Sequence, residues 1–281
     1  MPILHGAGQR AIDPTQTSAA PALPEPVRWH ADGSAHSQRF DDVYSSSSGA
    51  LQQARHVFLQ GCGLPAAWAR KEQCCILETG FGLGRNFLAT WQAWNADPQR
   101  CRNLHFVSIE AWPVSGADLL RAMQPHPELL PLAQALHRRW LALRGGCNHF
   151  SFAQGRLSLT LWIGEVLPVL QGLQLKADAL YLDGFCPSKN PQMWTPDALR
   201  AAVGCLHPGA RVATWSVTRE VRHRLSACGV ALRKMPGLPP KRDCLSGVVE
   251  TRDAPAAGPT PDQAGAAATA PADARAALRL N

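Results

Sequence analysis

The sequence predicts an α/β protein, a mostly parallel sheet with helices on both faces. Three observations lead there. Short apolar runs alternate with segments of helical spacing between residues 74 and 250. Several of those runs are nearly continuous in apolar residues, as strands buried on both faces are. The runs also end in carboxylates or glycines, at the carboxyl edge where open α/β sheets bind their ligands. The 281 residues, 46% hydrophobic and 17% charged, suffice for a substantial core and exclude a wholly disordered, collagenous or coiled-coil chain.

The elements follow in order. CCILET (74–79) is a strand that runs into a glycine-rich turn and then the helix NFLATWQAW (86–94). LHFVSIE (104–110) is the second strand, followed by helical patterning over 114–124 and 128–140. HFSFAQ (149–154) and RLSLTLWIG (156–164) are spaced to pair through a tight turn at Gly155. ADALYLD (177–183) is a further apolar strand ending in Asp183, with a helix expected over 195–204. The strand ARVATWS (210–216) and a helix over 219–228 precede two antiparallel edge strands, ALRKMP (231–236) and CLSGVVE (244–250).

The ends differ from this middle. Residues 1–28 are expected to be a disordered or extended segment, because Pro, Ala, Ser and Thr dominate without a sustained period. Residues 251–281 contain 12 Ala and 4 Pro and read as a tail or truncated interdomain linker. Both ends are charge-neutral, so the formal net charge of +7 falls within the folded region 29–250, where 23 basic residues face 16 acidic ones. That excess is compatible with nucleic acid without specifying it. No apolar run approaches the length of a membrane span, and the first twenty residues lack the layout of a signal peptide. A soluble protein of the cytoplasm is expected. The nine cysteines, odd in number and irregular in spacing, suit buried reduced thiols, and no structural metal is expected.

The chemical signals gather at the strand ends. Glu78-Thr79-Gly80-Phe81-Gly82-Leu83-Gly84-Arg85-Asn86 joins a strand to a helix. Its glycines alternate, unlike a dinucleotide fingerprint, and no Gly-Lys-Ser/Thr closes a phosphate loop. An acid ahead of such a turn suits a ligand bearing an amino group and a ribose. Glu110 ends the second strand, where a carboxylate can accept bonds from both ribose hydroxyls, and Glu165 stands on the same rim. Asp183 opens the loop DGFCPSKNP, with Phe185 and Trp194 near enough in sequence to wall a pocket for a planar base. Phe40-Asp41-Asp42-Val43-Tyr44 is polar and aromatic, and reads equally as a cover for the site or as surface decoration.

With these motifs in order, the chain resembles the methyltransferase domain of the bifunctional family that makes 5-methylaminomethyl-2-thiouridine in tRNA. The resemblance runs from Trp29 to Glu250 through FDDVY (40–44), ETGFG (78–82) with NFL (86–88), FVSIE (106–110), DGF-x-P-x-KNP (183–191) and KRD (241–243). It implies a class I S-adenosylmethionine-dependent methyltransferase fold with a seven-stranded sheet. It also implies that Glu78, Gly80, Gly82 and Gly84 surround the methionine part of S-adenosylmethionine, that Asn86 belongs to the same cofactor site, that Glu110 holds the ribose, and that Glu165 lies near the adenine. Asp183 would sit between donor and acceptor amine as the catalytic group. Asp42, Tyr44, Phe185, Lys189, Asn190, Trp194, Lys241 and Arg242 would bind substrate, with Arg219 and Arg222 as further phosphate contacts. The partner implied is tRNA, with no membrane involved.

The chain also departs from the family. Leu83-Gly84-Arg85-Asn86 replaces a usual Thr-Gly-Leu-Asn, so Arg85 stands at an ordinarily apolar position. Cys186 replaces an alanine, and Ala111-Trp112-Pro113 follows Glu110 where a lysine is usual. Family members commonly continue into an FAD-dependent oxidoreductase domain. No dinucleotide fingerprint follows residue 250, so FAD is not expected here and a separate or fused oxidoreductase module would supply that step. The alternatives are a methyltransferase for another aminoalkyl nucleoside or amine, and a catalytically degenerate tRNA-binding protein.

Overall fold

The structure is a computed structural model that describes residues 24–45 and 49–251. The expectations for residues 1–23 and for the tail from 252 lie outside the described residues. Ordered structure begins ahead of residue 29, because strand β1 (Val27–Trp29) already pairs with β2 (Ala35–Ser37). With β3 (Asp42–Val43) these form a small antiparallel sheet. The reason lies in Glu25, which is 2% exposed. Its carboxylate accepts bonds from Ser37 Oγ at 2.6 Å and Arg39 Nε at 3.0 Å, while its backbone N–H donates to Pro113 O at 2.8 Å.

The main sheet carries β4 (Gln73–Thr79), β5 (Asn103–Glu110), β6 (Gly146–Phe152), β7 (Leu157–Ile163), β8 (Ala177–Leu182), β9 (Leu206–Thr214), β10 (Val230–Pro236) and β11 (Asp243–Val249). Their spatial order is β10-β11-β9-β8-β4-β5-β7-β6. The five central strands run parallel, while β6 and β11 are antiparallel to their neighbours β7 and β9. The sheet thus has eight strands rather than seven. The additional one is the edge strand β6, folded back on β7 through the turn Ala153–Gly155. Strand β9 starts four residues earlier than the sequence suggests. Pro208 and Gly209 disguise its start, and a register shift between Ala177 and Ala179 of β8 accommodates them.

Two apolar layers cover the sheet. On one face Ile76, Phe106 and Tyr181 pack with Phe58, Phe87, Trp94 and Leu136. These last four come from the helical segment α1 (Ala50–Gln53) with its π-helical continuation Ala54–Gln60, from α2 (Arg85–Ala96) and from α4 (Leu130–Trp140); α3 (Gly116–Met123) joins them through Leu119 and Met123. On the other face Leu77, Val107, Leu180 and Val212 pack with α5 (Val166–Gly172), α6 (Pro196–Gly204) and α7 (Arg219–Ala227). Adjacent residues of β4, Ile76 and Leu77, serve opposite layers, as the two-residue strand period requires. Helices α3, α6 and α7 start from Ser115, Thr195 and Thr218, whose side chains accept an N–H bond from the first turn. All nine cysteines are free. Among the described residues no helix is long and apolar enough to cross a membrane.

One contact fixes the π-helical segment against the sheet. Ser246 Oγ donates to Gly61 O at 2.6 Å, and a Cβ on Gly61 would collide with Val57 O and lie 2.9 Å from Ala213 Cβ. Gly61→Ala is therefore expected to lower stability by about 1–3 kcal/mol through overpacking. The check is a urea titration, in which the midpoint should fall at unchanged slope; an unchanged midpoint would contradict this packing.

Candidate active site

The strand order reverses between β4, which leads towards β5 and β7, and β8, which leads towards β9. A crevice must open beyond the carboxyl ends of strands at such a point. Here it is a cavity of ≈ 900 Å³. Its lining includes Gly80, Gly82 and Asn86 after β4, Glu110 at the end of β5, Glu165 after β7, and Asp183, Phe185, Lys189 and Asn190 after β8. The small N-terminal sheet contributes Phe40, Asp42 and Tyr44, and the chain before β11 contributes Lys241.

The glycine turn has a steric cause. Gly80, Gly82 and Gly84 take φ values of +82°, +52° and +75°. A Cβ on Gly80 would lie 3.2 Å from both Asp183 O and Gly184 Cα, so the loops after β4 and β8 approach each other only through a glycine. Gly84 does not line the cavity. It precedes α2 in a left-handed conformation, and a Cβ there would meet the Phe81 ring at 3.0 Å.

The carboxylates differ in setting. Asp183 Oδ2 accepts from Asn86 Nδ2 at 2.8 Å, and Oδ1 accepts from Gly184 N at 2.8 Å and Trp215 Nε1 at 3.0 Å. Burial pushes its pKa up, and these donors and the Lys241 charge oppose that rise. Glu110 accepts from Gly82 N at 2.9 Å and Trp112 N at 2.8 Å, one bond on each oxygen, and burial raises its pKa to about 7. Each oxygen keeps a further lone pair. Glu78 is fully buried beneath the turn and does not line the cavity. Ser108 Oγ donates to its Oε2 at 2.7 Å, its Oε1 has no hydrogen-bond partner, and burial raises its pKa to about 8.

The N-terminal sheet closes one wall. Phe40 stacks on Phe185 with ring centroids 4.8 Å apart, and Tyr44 meets Phe185 edge-on at 5.0 Å. Asp42 Oδ2 accepts from Cys186 N at 2.8 Å, and Lys189 Nζ donates to Asp41 Oδ2 at 2.8 Å. The FDDVY segment therefore covers the site, the first of the two readings its sequence allowed. Trp194 is not a wall. It is 1% exposed, and its Nε1 donates to Phe185 O at 2.9 Å from behind. Arg242 is exposed and lines none of the cavity, nor do Arg219 and Arg222 on α7. Lys241 does line it, with Nζ 3.3 Å from the centroid of the Trp215 ring, and burial lowers its pKa.

Trp215 and Arg85 are site residues that the sequence reading did not select. Trp215 stands near the end of an apolar run with nothing local to mark it, whereas Arg85 stands in the sequence only as a charge at an ordinarily apolar position. The signal available for Arg85 was its charge at the first position of α2, directly after the turn.

A glycine turn after the central strand, carboxylates ending the next strands and this strand order define a class I methyltransferase fold that uses S-adenosylmethionine. Residues 127–250 match a family model described as S-adenosyl-L-methionine-dependent methyltransferase. The chain is 53% identical over 229 residues to the tRNA 5-methylaminomethyl-2-thiouridine biosynthesis bifunctional protein MnmC of Polaromonas sp., covering 80% of this chain and 36% of that one. It is 53% identical over 223 residues to the protein of the same name from Paracidovorax citrulli, covering 79% and 35%. The chain thus spans about a third of the length of the curated relatives it matches. The crystal structure of MNMC2 from Aquifex aeolicus shares the fold, with a TM-score of 0.65 and 22% identity over 84% of this chain and 74% of that one. The chain is homologous to the methyltransferase portion of the MnmC bifunctional family.

The setting of Glu78 has a consequence for stability. A carboxyl with a pKa raised from 4.5 to about 8 stays protonated in the folded protein while it ionises in the unfolded chain. The unfolded state then binds fewer protons, so stability falls as pH rises through that window. Glu78→Gln removes this dependence. The stability of the native protein relative to Glu78→Gln is expected to drop by roughly 1 kcal/mol per pH unit between about pH 5 and pH 8. Parallel urea titrations of the ligand-free proteins measure it, and a constant difference across that range would refute the assignment.

Proposed function

We propose that this chain transfers the methyl group of S-adenosylmethionine to the aminomethyl nitrogen of 5-aminomethyl-2-thiouridine at the tRNA wobble position, giving 5-methylaminomethyl-2-thiouridine. The carrying observation is that one cavity joins a carboxylate-edged glycine turn to Asp183 and a wall of stacked aromatic rings. The two MnmC relatives, whose names give this product, support the choice of acceptor.

S-adenosylmethionine supplies a methyl group on a sulfonium, which an amine lone pair attacks in line. The protein's own groups suit that donor. Glu78, buried beneath the turn and outside the cavity lining, would stand behind the methionine part of the donor, and the remaining lone pairs of Glu110 suit both ribose hydroxyls. Glu165, exposed on the rim after β7, would lie by the adenine. Gly80, Gly82 and Asn86 would border the methionine chain, with Gly84 shaping the turn.

Asp183 is the catalytic group in this reading. An alkylammonium is unreactive until it loses a proton, and a carboxylate beside it can orient the amine and accept that proton directly or through water. The raised pKa of Asp183 makes it a better acceptor than an exposed aspartate. Phe40, Tyr44 and Phe185 offer faces and edges for a base turned out of its stack. Asn190 and Lys189 would shape the mouth, Asp42 would hold the Cys186 loop, and Trp194 would support Phe185 from behind. Lys241 and Arg242, with Arg219 and Arg222, would meet tRNA phosphates. Residues 29–250 would then be the methyltransferase domain. A separate or fused FAD-dependent oxidoreductase would expose the acceptor amine, and the reaction would take place in the cytoplasm with the tRNA pool.

The test uses the purified chain, labelled S-adenosylmethionine and tRNA bearing 5-aminomethyl-2-thiouridine, with nucleosides resolved by mass spectrometry. The native chain should add one methyl to that nucleoside. Asp183→Ala should reduce transfer by roughly 10²–10⁴-fold, the range of a positioned acid or base, while donor binding persists. Donor binding without any methyl gain by the native chain would refute the proposed acceptor.

A further inference from the structure

Arg85 is a charged residue of the cavity that no hydrogen bond or ion pair holds among the described residues. It is the first residue of α2, directly after the glycine turn, and it lines the cavity beside Asn86. Its Nε is buried without a hydrogen-bond partner, and it forms no ion pair among the described residues. Burial lowers its pKa to about 10, and the acidic groups near enough to act on it are Asp183 and Tyr44. Asp183 is already hydrogen-bonded to Asn86, Gly184 and Trp215, and burial raises the Tyr44 pKa, so its hydroxyl stays neutral. A guanidinium whose Nε is cut off from water without a partner is costly to keep. Such a group is retained where an anion reaches it.

We propose that Arg85 recognises the α-carboxylate of the amino-acid part of S-adenosylmethionine. This rests on the donor reading above. Position selects a carboxylate of the donor over a phosphate of the nucleic acid, while the helix terminus and the guanidinium fork favour an anion of either kind. Arg85 follows the turn Gly80–Gly84, which would border the methionine chain, so the two are held together by the backbone. The first turn of α2 adds its own partial positive charge, because the residue before it, Gly84, supplies no side-chain cap. A guanidinium also matches a carboxylate through two parallel N–H bonds. A phosphate of a folded RNA, by contrast, would have to enter below the aromatic wall of Phe40 and Tyr44.

The experiment compares ligands that differ only in this group, read by titration calorimetry on the whole chain. The probes are S-adenosylhomocysteine and its decarboxylated analogue. The native protein should bind the carboxylated ligand at least roughly tenfold more tightly, the effect of a hydrogen bond to a charged group. Arg85→Met, which keeps the length of the side chain without its charge, should weaken only the carboxylated ligand and close most of that gap. Arg85→Lys should restore part of it. In the absence of ligand Arg85→Met should be at least as stable as the native protein, because it removes a half-buried charge whose Nε has no partner; a purely structural Arg85 would make it less stable and weaken both ligands equally. Equal affinity of the native protein for both ligands overturns the inference and leaves the donor reading standing. Binding of neither ligand overturns both. Unchanged ligand affinities in Arg85→Met with a raised KM for tRNA would assign Arg85 to a phosphate and overturn the inference.

Discussion

The site depends on how the Asp183 carboxylate is held. It accepts from Asn86 at the start of α2, from its own neighbour Gly184, and from Trp215 after β9. Three chain segments that are distant in sequence therefore meet on one charged group. Thr79 Oγ1 adds a bond to Asp183 O at 3.1 Å, which ties the end of β4 to the same point. Burial alone would favour the neutral acid, whereas donors aimed at both oxygens favour the carboxylate. The same bonds therefore balance its charge and fix the crevice between β4 and β8. They also pass one step further, because the indole that donates to Asp183 carries the Lys241 ammonium on its face.

The cover over the crevice is built by a related device, acids pairing with groups from remote segments. Glu25 holds Ser37 and Arg39, Asp42 holds the Cys186 backbone, and Asp41 holds Lys189. These bonds bring Phe40 and Tyr44 against Phe185, and Trp194 fixes Phe185 from the opposite side. The aromatic wall is thus assembled from an N-terminal sheet too short to be stable alone. Its position follows from charge pairing as much as from apolar contact. The exposed Asp41–Lys189 pair is the weakest link, since water screens it.

How much of this the sequence revealed follows from the range of the interactions involved. Strand β4, the turn and α2 were legible because each is specified within a few neighbouring residues: an apolar run, three glycines, a helical period. The carboxylates at the ends of β5 and β8 were legible for the same reason, since a charge closing an apolar run has few structural uses. The eighth strand was present in the pattern of residues 149–154 but absent from the seven strands that the family resemblance implied. Trp194 and Trp215 show where local reading stops. Both are tryptophans near apolar elements, yet one supports Phe185 through a backbone carbonyl and the other donates to Asp183. Which does which depends on contacts across more than 30 positions for Trp215 and on the path of a single loop for Trp194. Gly84 is the converse case, where the expected ligand neighbour is instead a steric requirement of the Phe81 ring.

A common physical thread joins the ionisable groups in and beneath the cavity. Glu78 and Glu110 are pushed up, Arg85 and Lys241 are pushed down, and in each the leading cause is burial. Every one of these shifts disfavours the charged form. The fold therefore keeps two acids and two bases where their charges are least comfortable, instead of pairing them with one another. A core built for stability alone would replace such groups by apolar ones. Their arrangement makes sense when charges of both signs arrive together, as in a zwitterionic amino acid joined to a nucleoside and an amine that must lose its proton. Binding such a molecule would draw the acids towards ionisation and hold the bases protonated, so ligand affinity and protonation state are coupled throughout the cavity rather than at Asp183 alone.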